Sequence, residues 1–285
     1  MSTFYPNVVY KTIGDIQLAA DVYAPVPRSG IAVPPSPALF WIHGGGWSRG
    51  NRDQILPLKR FMRLLRRAGV TLVTFSYRLA KPGQMWPCML HDCVDGVKYF
   101  IKNADKFNID ASNIVIGGAS AGAQLSLLTT FLHDRCGEVE ALKSVGFKPN
   151  AILDACGPVM LFDPRRDMSA NSPIAQLLGG AYNDIPEVYH MASPLWVVQN
   201  KKNAGGYLPP IYAPHGELDM LVSPEQPAAM KEVYTAAGGD MEILWVQNST
   251  HEFQLSPLGD GPLDPDRFTF QKLLADFVIK HCYKH

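Results

Sequence analysis

Asn113-Ile-Val-Ile-Gly-Gly-Ala-Ser120-Ala-Gly-Ala-Gln-Leu-Ser-Leu-Leu128 is the stretch on which the reading of the fold turns. Ile114, Val115 and Ile116 are apolar and β-branched, and residues 113–116 predict a buried strand. Residues 121–132 are almost wholly apolar and predict a helix buried on most sides. Between them, Gly118-Ala-Ser120-Ala-Gly122 fits a G-x-S-x-G turn. Such a turn joins strand to helix under strain and lifts a serine hydroxyl above a sheet, and its flanking residues are small because the turn leaves little room. The pattern is short enough to arise by chance. Its position between a strand and a buried helix is what gives it weight.

Outward from this point, strands and helices alternate. Residues 8–13 and 16–23 read as a hairpin turning at Gly14-Asp15. A Pro-rich loop over 25–37 leads to a buried strand over 38–42. Asp53 is expected to cap a helix that carries Ile55, Leu58, Phe61, Met62 and Leu65 on one face and stops at Gly69. A strand follows over 70–75, then a helix with Leu90, Cys93, Val94, Val97 and Ile101 at helical spacing. Residues 151–154 read as a strand. The rhythm then breaks from 157 to about 210, where Pro, Gly and Asn interrupt short helical patterns, and this stretch reads as an insertion. Alternation resumes with a strand at 211–213. Ser223-Pro-Glu-Gln226 reads as a capping box opening a helix that ends at Gly238-Gly239. A strand over 241–246 follows, and Asp264-Pro265 are expected to start a last helix with Phe270, Leu274, Phe277 and Val278 inward. This order predicts an α/β protein: one domain over 1–285, a mostly parallel central sheet with helices on both faces, an antiparallel N-terminal hairpin and a small cap-like insertion.

Composition narrows the function. Lysine plus arginine and aspartate plus glutamate are both 26 of 285 residues, so the basic excess of a nucleic-acid binder is missing. No apolar run is long enough for a membrane span. The opening Met1-Ser-Thr-Phe-Tyr-Pro-Asn lacks a basic start followed by an apolar stretch, so no secretory signal is expected and a cytoplasmic location is. The five cysteines, Cys88, Cys93, Cys136, Cys156 and Cys282, form no C-x-x-C and suggest reduced thiols rather than zinc or a redox pair.

A second chemical signal is His43-Gly-Gly-Gly-Trp47, directly after the strand at 38–42. Three glycines let backbone N–H groups approach a developing negative charge. A phosphate loop would need a following Lys-Ser/Thr or a G-x-G-x-x-G helix start, and neither is present. His43 itself reads as a structural pin for this loop. A serine hydroxyl is a poor nucleophile at neutral pH, so Ser120 needs a base and an orienting acid. This type of turn is followed by them in the order Ser, Asp/Glu, His. Six histidines follow Ser120. His133 ends the helix after the serine, and His281 and His285 lie on or beyond the last helix. His251 sits in the polar loop after the strand 241–246, where α/β sites assemble. Asp219 occupies the equivalent loop one strand earlier, with Glu217 close enough to substitute. His215, just before the acid, reads as structural.

Taken together these residues resemble the α/β-hydrolases of the hormone-sensitive-lipase and bacterial carboxylesterase group. The likeness is strongest to the small branch that includes acetyl-xylan and feruloyl esterases and the kynurenine formamidases. It runs from Asp21-Val-Tyr-Ala-Pro25 through His43-Gly-Gly-Gly-Trp47, Tyr77-Arg-Leu-Ala80, Trp86-Pro87, His91-Asp-Cys93, the serine turn and His215-Gly-Glu-Leu-Asp219 to His251-Glu-Phe253. The resemblance implies Ser120 as nucleophile, His251 as base, Asp219 as orienting acid, and the N–H groups of Gly45, Gly46 and Ala121 as an oxyanion hole. Lipase-like relatives usually carry an acidic residue where Ala119 stands, Gly where Ala123 stands, and a helical N-terminal cap, so the resemblance favours the small esterases. Formamidases often have Tyr where Gly46 stands.

The function expected is that of a serine carboxylesterase acting on short-chain or small aromatic esters. An arylformamidase with the same machinery is the alternative, and a non-catalytic ligand receptor on this fold is a more distant one. Trp47, Trp86, Phe162 and Trp196 are expected to line the pocket. No metal or organic cofactor is expected. The partner is a small-molecule ester, not nucleic acid or a membrane, and a homodimer is left open.

Overall fold

Strand β3 (Ser36–Ile42) is buried along its whole length, and its alternate residues enter two different cores. Ala38, Phe40 and Ile42 face one, Leu39 and Trp41 the other. A strand with apolar side chains on both sides belongs in the middle of a sheet covered on both faces. The computed structural model, which describes residues 3–26, 34–131, 144–163, 169–201, 206–251, 253 and 258–283, sets it there. The sheet has eight strands in the order β1-β2-β4-β3-β5-β6-β7-β8. These are β1 (Phe4–Ile13), β2 (Ile16–Tyr23), β3, β4 (Thr71–Phe75), β5 (Ile109–Ala119), β6 (Ala151–Ala155), β7 (Ile211–Gly216) and β8 (Met241–Val246). The β1–β2 and β2–β4 pairs are antiparallel, and the rest are parallel.

Helices cover both faces. On one lie α1 (Lys59–Arg67) and the C-terminal α9 (Arg267–Cys282), which bury Phe61, Met62, Leu65, Phe270, Leu274 and Val278. On the other lie α2 (Cys88–Lys102), α4 (Ala121–Phe131) and α8 (Glu225–Ala236), while the single turn α3 (Ala104–Phe107) leads into β5. All eleven residues of α4 are buried, the polar Gln124, Ser126, Thr129 and Thr130 included. Between β6 and β7 the chain forms three short helices, α5 (Pro173–Leu178), α6 (Pro186–Met191) and α7 (Pro194–Lys201). Their residues Leu177, Leu178, Tyr189 and Val198 join the core on the α4 side. Among the described residues, no helix is long and apolar enough to cross a membrane.

Three helix starts differ from the sequence reading. Asp53 does not cap α1. It lies in a 3-10 turn, Arg52–Ile55, whose cap is Asn51, with the Asn51 side chain accepting the Asp53 N–H; α1 begins later, after Leu58, without a side-chain cap. Ser223 to Gln226 do not form a capping box. The helix starts after Pro224; the Ser223 hydroxyl accepts the amide of Glu225 at 3.4 Å rather than that of Gln226, and the Gln226 side-chain oxygen accepts the amides of Val159 (2.9 Å) and Met160 (3.0 Å). The last helix is capped by Asp266, two residues beyond Asp264, which instead pairs with Gln247. In each case a competing partner distant in sequence, or a neighbouring polar side chain, supplied the hydrogen bond that local pattern alone assigned elsewhere. Strand β1 also starts at Phe4 rather than at residue 8. Part of the Pro-rich loop (27–33), the predicted last helical residue Leu132, His133, Cys136 and His285 lie outside the described residues.

Asp154 is a buried acid in the central sheet. It sits on β6 beside Gly118, and among the described residues its Oδ1 accepts the Gly157 N–H, at 3.0 Å. Burial pushes its carboxyl up from 3.8 to about 7, since the apolar surroundings disfavour the charged form. The folded state therefore keeps a proton that the unfolded chain releases above its ordinary value. This contribution to stability is complete below about pH 4 and is lost as pH rises towards 7. Asp154→Asn should remove it. In thermal melts the variant should gain on the parent protein steadily from pH 4 to pH 7 (about the span of the shift). A difference in melting temperature that does not change with pH would show that Asp154 does not titrate this way.

Candidate active site

The sheet changes direction at β3. The chain runs from β3 outwards to β4 on one side, then returns to β5 on the other. Loops leaving the carboxyl ends of β3 and β5 diverge over this point, where open α/β sheets carry their sites. The β3 loop is His43-Gly-Gly-Gly-Trp47, and the β5 loop is the Ser120 turn. They are in direct contact: a Cβ on Gly44 would lie 2.8 Å from the Ala119 carbonyl oxygen and 3.4 Å from the Ser120 Cβ. Glycine is obligatory at 122 for the same reason, because a Cβ there would come within 2.1 Å of the Ile42 oxygen.

Ser120 has a backbone φ of +53°, a left-handed conformation that costs a non-glycine residue about 1–2 kcal/mol. The strain is the strand-to-helix turn that the sequence motif predicts. Its amide is held by the Ala155 carbonyl at 2.7 Å. Its Oγ lies 2.8 Å from His251 Nε2, and His251 Nδ1 lies 2.7 Å from Asp219 Oδ2. The carboxylate fixes the proton on Nδ1 and leaves the Nε2 lone pair towards the serine hydroxyl. Asp219 is fully buried in its side chain. Its Oδ1 accepts the amides of Leu221 (2.8 Å) and Val222 (2.9 Å), which offset the cost of burying the charge. Ser120, His251 and Asp219 are thus brought together from the ends of β5, β8 and β7. Glu217 is not part of the group: it is exposed, and its amide bonds back to Val246.

Two further histidines near the site, His43 and His215, are pins. His43 donates from Nδ1 to the Gly44 carbonyl at 2.7 Å and stacks flat on Tyr77, with ring centroids 4.2 Å apart. Tyr77 in turn donates to the His43 carbonyl. Burial drives the His43 ring down to about 4, so it stays neutral at ordinary pH. His215 donates from Nε2 to the Val222 carbonyl at 2.8 Å and lies 3.3 Å from Asp219 Oδ2. Burial lowers its pKa as well. It closes the turn that carries the acid.

Gly45 and Gly46 follow with φ of +108° and +57°. Their amides and that of Ala121, at the start of α4, make no hydrogen bond within the described residues. The four predicted pocket aromatics fall in three places, Phe162 and Trp196 sharing one aromatic cluster through Tyr182 and His190, whose ring centroids are 5.9 Å apart. Trp47 is buried, its indole N–H on Gln124. Trp86 is half-buried and its amide bonds to Leu177 of α5. Phe162 stacks on Tyr182 at 3.7 Å, and Trp196 stacks on His190 at 5.1 Å. Sequence reading missed Gln124. Its signal was present, as the one amide side chain on a mostly apolar helix, one turn after the serine.

A mostly parallel sheet with an antiparallel N-terminal hairpin, helices on both faces and a serine turn after β5 defines an α/β-hydrolase fold. The family model described as BD-FAE matches residues 20–234, well over half of the chain, and the chain belongs to that family. A truncated carbohydrate esterase from gut microbiota has the same fold, with a TM-score of 0.76, 23% identity, and coverage of 99% of this chain and 97% of that one. An esterase of Thermogutta terrifontis gives a TM-score of 0.72 at 21% identity over 95% of this chain and 90% of that one. Among curated proteins, the acetyl esterase of Salmonella paratyphi B is 34% identical over 140 residues, which are 47% of this chain and 40% of that protein. The match therefore spans about two fifths of that relative's length.

Proposed function

We propose that this protein is a serine carboxylesterase. The observation that carries the reading is the hydrogen-bonded line Ser120 Oγ, His251 Nε2, His251 Nδ1, Asp219 Oδ2 beside the glycine loop. Ser120 Oγ attacks the ester carbonyl carbon while His251 Nε2 takes its proton. The oxyanion of the tetrahedral intermediate is met by the amides of Gly45, Gly46 and Ala121. One such donor is typically worth about 3 kcal/mol of barrier. The C–O bond of the ester breaks, the alcohol leaves with the proton from His251, and Ser120 is left acylated. Water then repeats the sequence and releases the carboxylic acid. A protonated Nε2 could not accept the serine proton. His43 and His215 stay neutral as pins, their pKa values lowered by burial. The names of the relatives are those of esterases, which supports esters over N-formyl amides. A kinetic panel of esters set against N-formylkynurenine decides between the two.

Short acyl groups are the proposed preference. The described helices of the insertion are short, and the segment is stitched down. Gln226 holds the amides of Val159 and Met160, the Ser193 hydroxyl holds that of Leu161, and Gln124 holds the Ala192 carbonyl. This favours a fixed wall over a lid that opens on a lipid surface. Each added methylene gains about 0.8 kcal/mol only where a pocket receives it. On p-nitrophenyl esters kcat/KM should peak at acetyl to butyryl and drop by about C8–C10, with no jump above the critical micelle concentration. A profile rising to C12 or beyond, or activation by micelles, would refute the fixed wall.

A further inference from the structure

We propose that Gln124 is a positioning residue for the glycine loop, acting through the indole of Trp47, and that it ties this loop to the insertion. The inference rests on the reading of the Gly45 and Gly46 amides as oxyanion donors. Three consecutive residues of the loop have left-handed backbone, Gly45, Gly46 and Trp47, the last with φ of +59°. Glycine adopts this region freely, but Trp47 does not, and its conformation persists only if its surroundings hold it. Two contacts do so. The Trp47 carbonyl accepts the Ala80 amide at 2.8 Å, and the indole N–H donates to Gln124 Oε1 at 3.0 Å inside the core. Without that bond a buried donor would lose its partner, and the indole would gain by moving towards water. Any such movement is passed to Gly46, one residue away.

Gln124 is well suited to this task. It is wholly buried, and it sits one turn beyond the nucleophile, its own amide on the Ser120 carbonyl at 3.1 Å. With the oxygen on Trp47, its Nε2 donates to the Ala192 carbonyl at 2.7 Å, between α6 and α7. The orientation of the amide is thereby fixed, because Trp47 offers only a donor and Ala192 only an acceptor. One side chain thus sets the loop, the helix that carries the serine, and the base of the insertion in a common frame. Trp47 belongs to this frame as a support of the loop.

The test compares Gln124→Met, Trp47→Phe and the double variant on a short-chain p-nitrophenyl ester, and measures inhibition by a short-chain trifluoromethyl ketone, whose adduct with a serine carries an oxyanion. Trp47→Phe keeps most of the ring packing and removes the N–H, so it serves if Gln124→Met fails to fold. The single variants should lower kcat by about 10- to 100-fold, the scale of a misplaced reacting group, with KM within about threefold. Affinity for the ketone should fall in parallel with kcat. The double variant should lose no more than the worse single one, because both cut the same bond. Losses that multiply, or a lower kcat with unchanged affinity for the ketone, would overturn the inference. Ser120→Ala is measured beside them. Surviving hydrolysis in that variant would remove the catalytic reading itself. Abolished hydrolysis there, with Gln124→Met behaving as the parent, would remove only the role of Gln124.

Discussion

Ser120→Ala should lower kcat/KM for a short-chain ester by about 10⁴- to 10⁶-fold, with the melting temperature close to that of the parent. The size of the effect follows from how the site works as a unit. Without the hydroxyl, His251 has nothing to activate for attack, and only water at the remaining amide donors can turn over substrate. The fold should tolerate the change, because Ser120 is held by its backbone. Its amide is on Ala155 and its carbonyl accepts from Ala123 and Gln124, and alanine keeps all three bonds. A fluorophosphonate should label the parent at Ser120 and fail to label the variant. Mass spectrometry that finds the label on another residue would end the assignment.

The second large effect is expected at Asp219. Asp219→Asn should lower kcat by about 10⁴-fold, and the geometry shows why an isosteric change is so damaging. The amides of Leu221 and Val222 both point at one oxygen of Asp219, so an asparagine must keep its carbonyl there. Its NH₂ then faces His251 Nδ1, where the carboxylate was. That donor forces the imidazole proton onto Nε2, and a protonated Nε2 cannot take the proton from Ser120. Glu217→Gln should leave kcat within about twofold, since an exposed side chain away from the imidazole has no means of setting its tautomer. A larger loss from the Glu217 change than from the Asp219 change would reverse the choice of acid.

Much of the fold was written in local periodicity. Residues 16–23 and 241–246 were read as strands with the bounds the structure has, because apolar alternation and the turn residues beside it are short-range signals. The serine turn was legible for a related reason. Only small residues fit where Gly118 and Gly122 pack against each other and against Ile42, so packing left its mark as a pattern of glycine and alanine. The failures share one physical origin. Asp53, Ser223 and Asp264 are all residues that cap helices well, yet the hydrogen bonds went to Asn51, to Gln226 bonding Val159 and Met160, and to Asp266.

By itself, the sequence determined the alternation of strands and helices, the buried central strands, the strained serine turn and the glycine loop after β3. These depend on periodicity and on steric limits within a few residues, which a linear pattern records. Only the tertiary structure shows which of two acids two residues apart lies beside His251. The turn after β7, closed by His215 and Val222, carries Asp219 inwards to His251 and leaves Glu217 exposed. Only the tertiary structure, too, gave Trp47 a partner 77 residues away in Gln124. Long-range hydrogen bonds of this kind are chosen by the packing of whole helices against the sheet, and no local spacing encodes them.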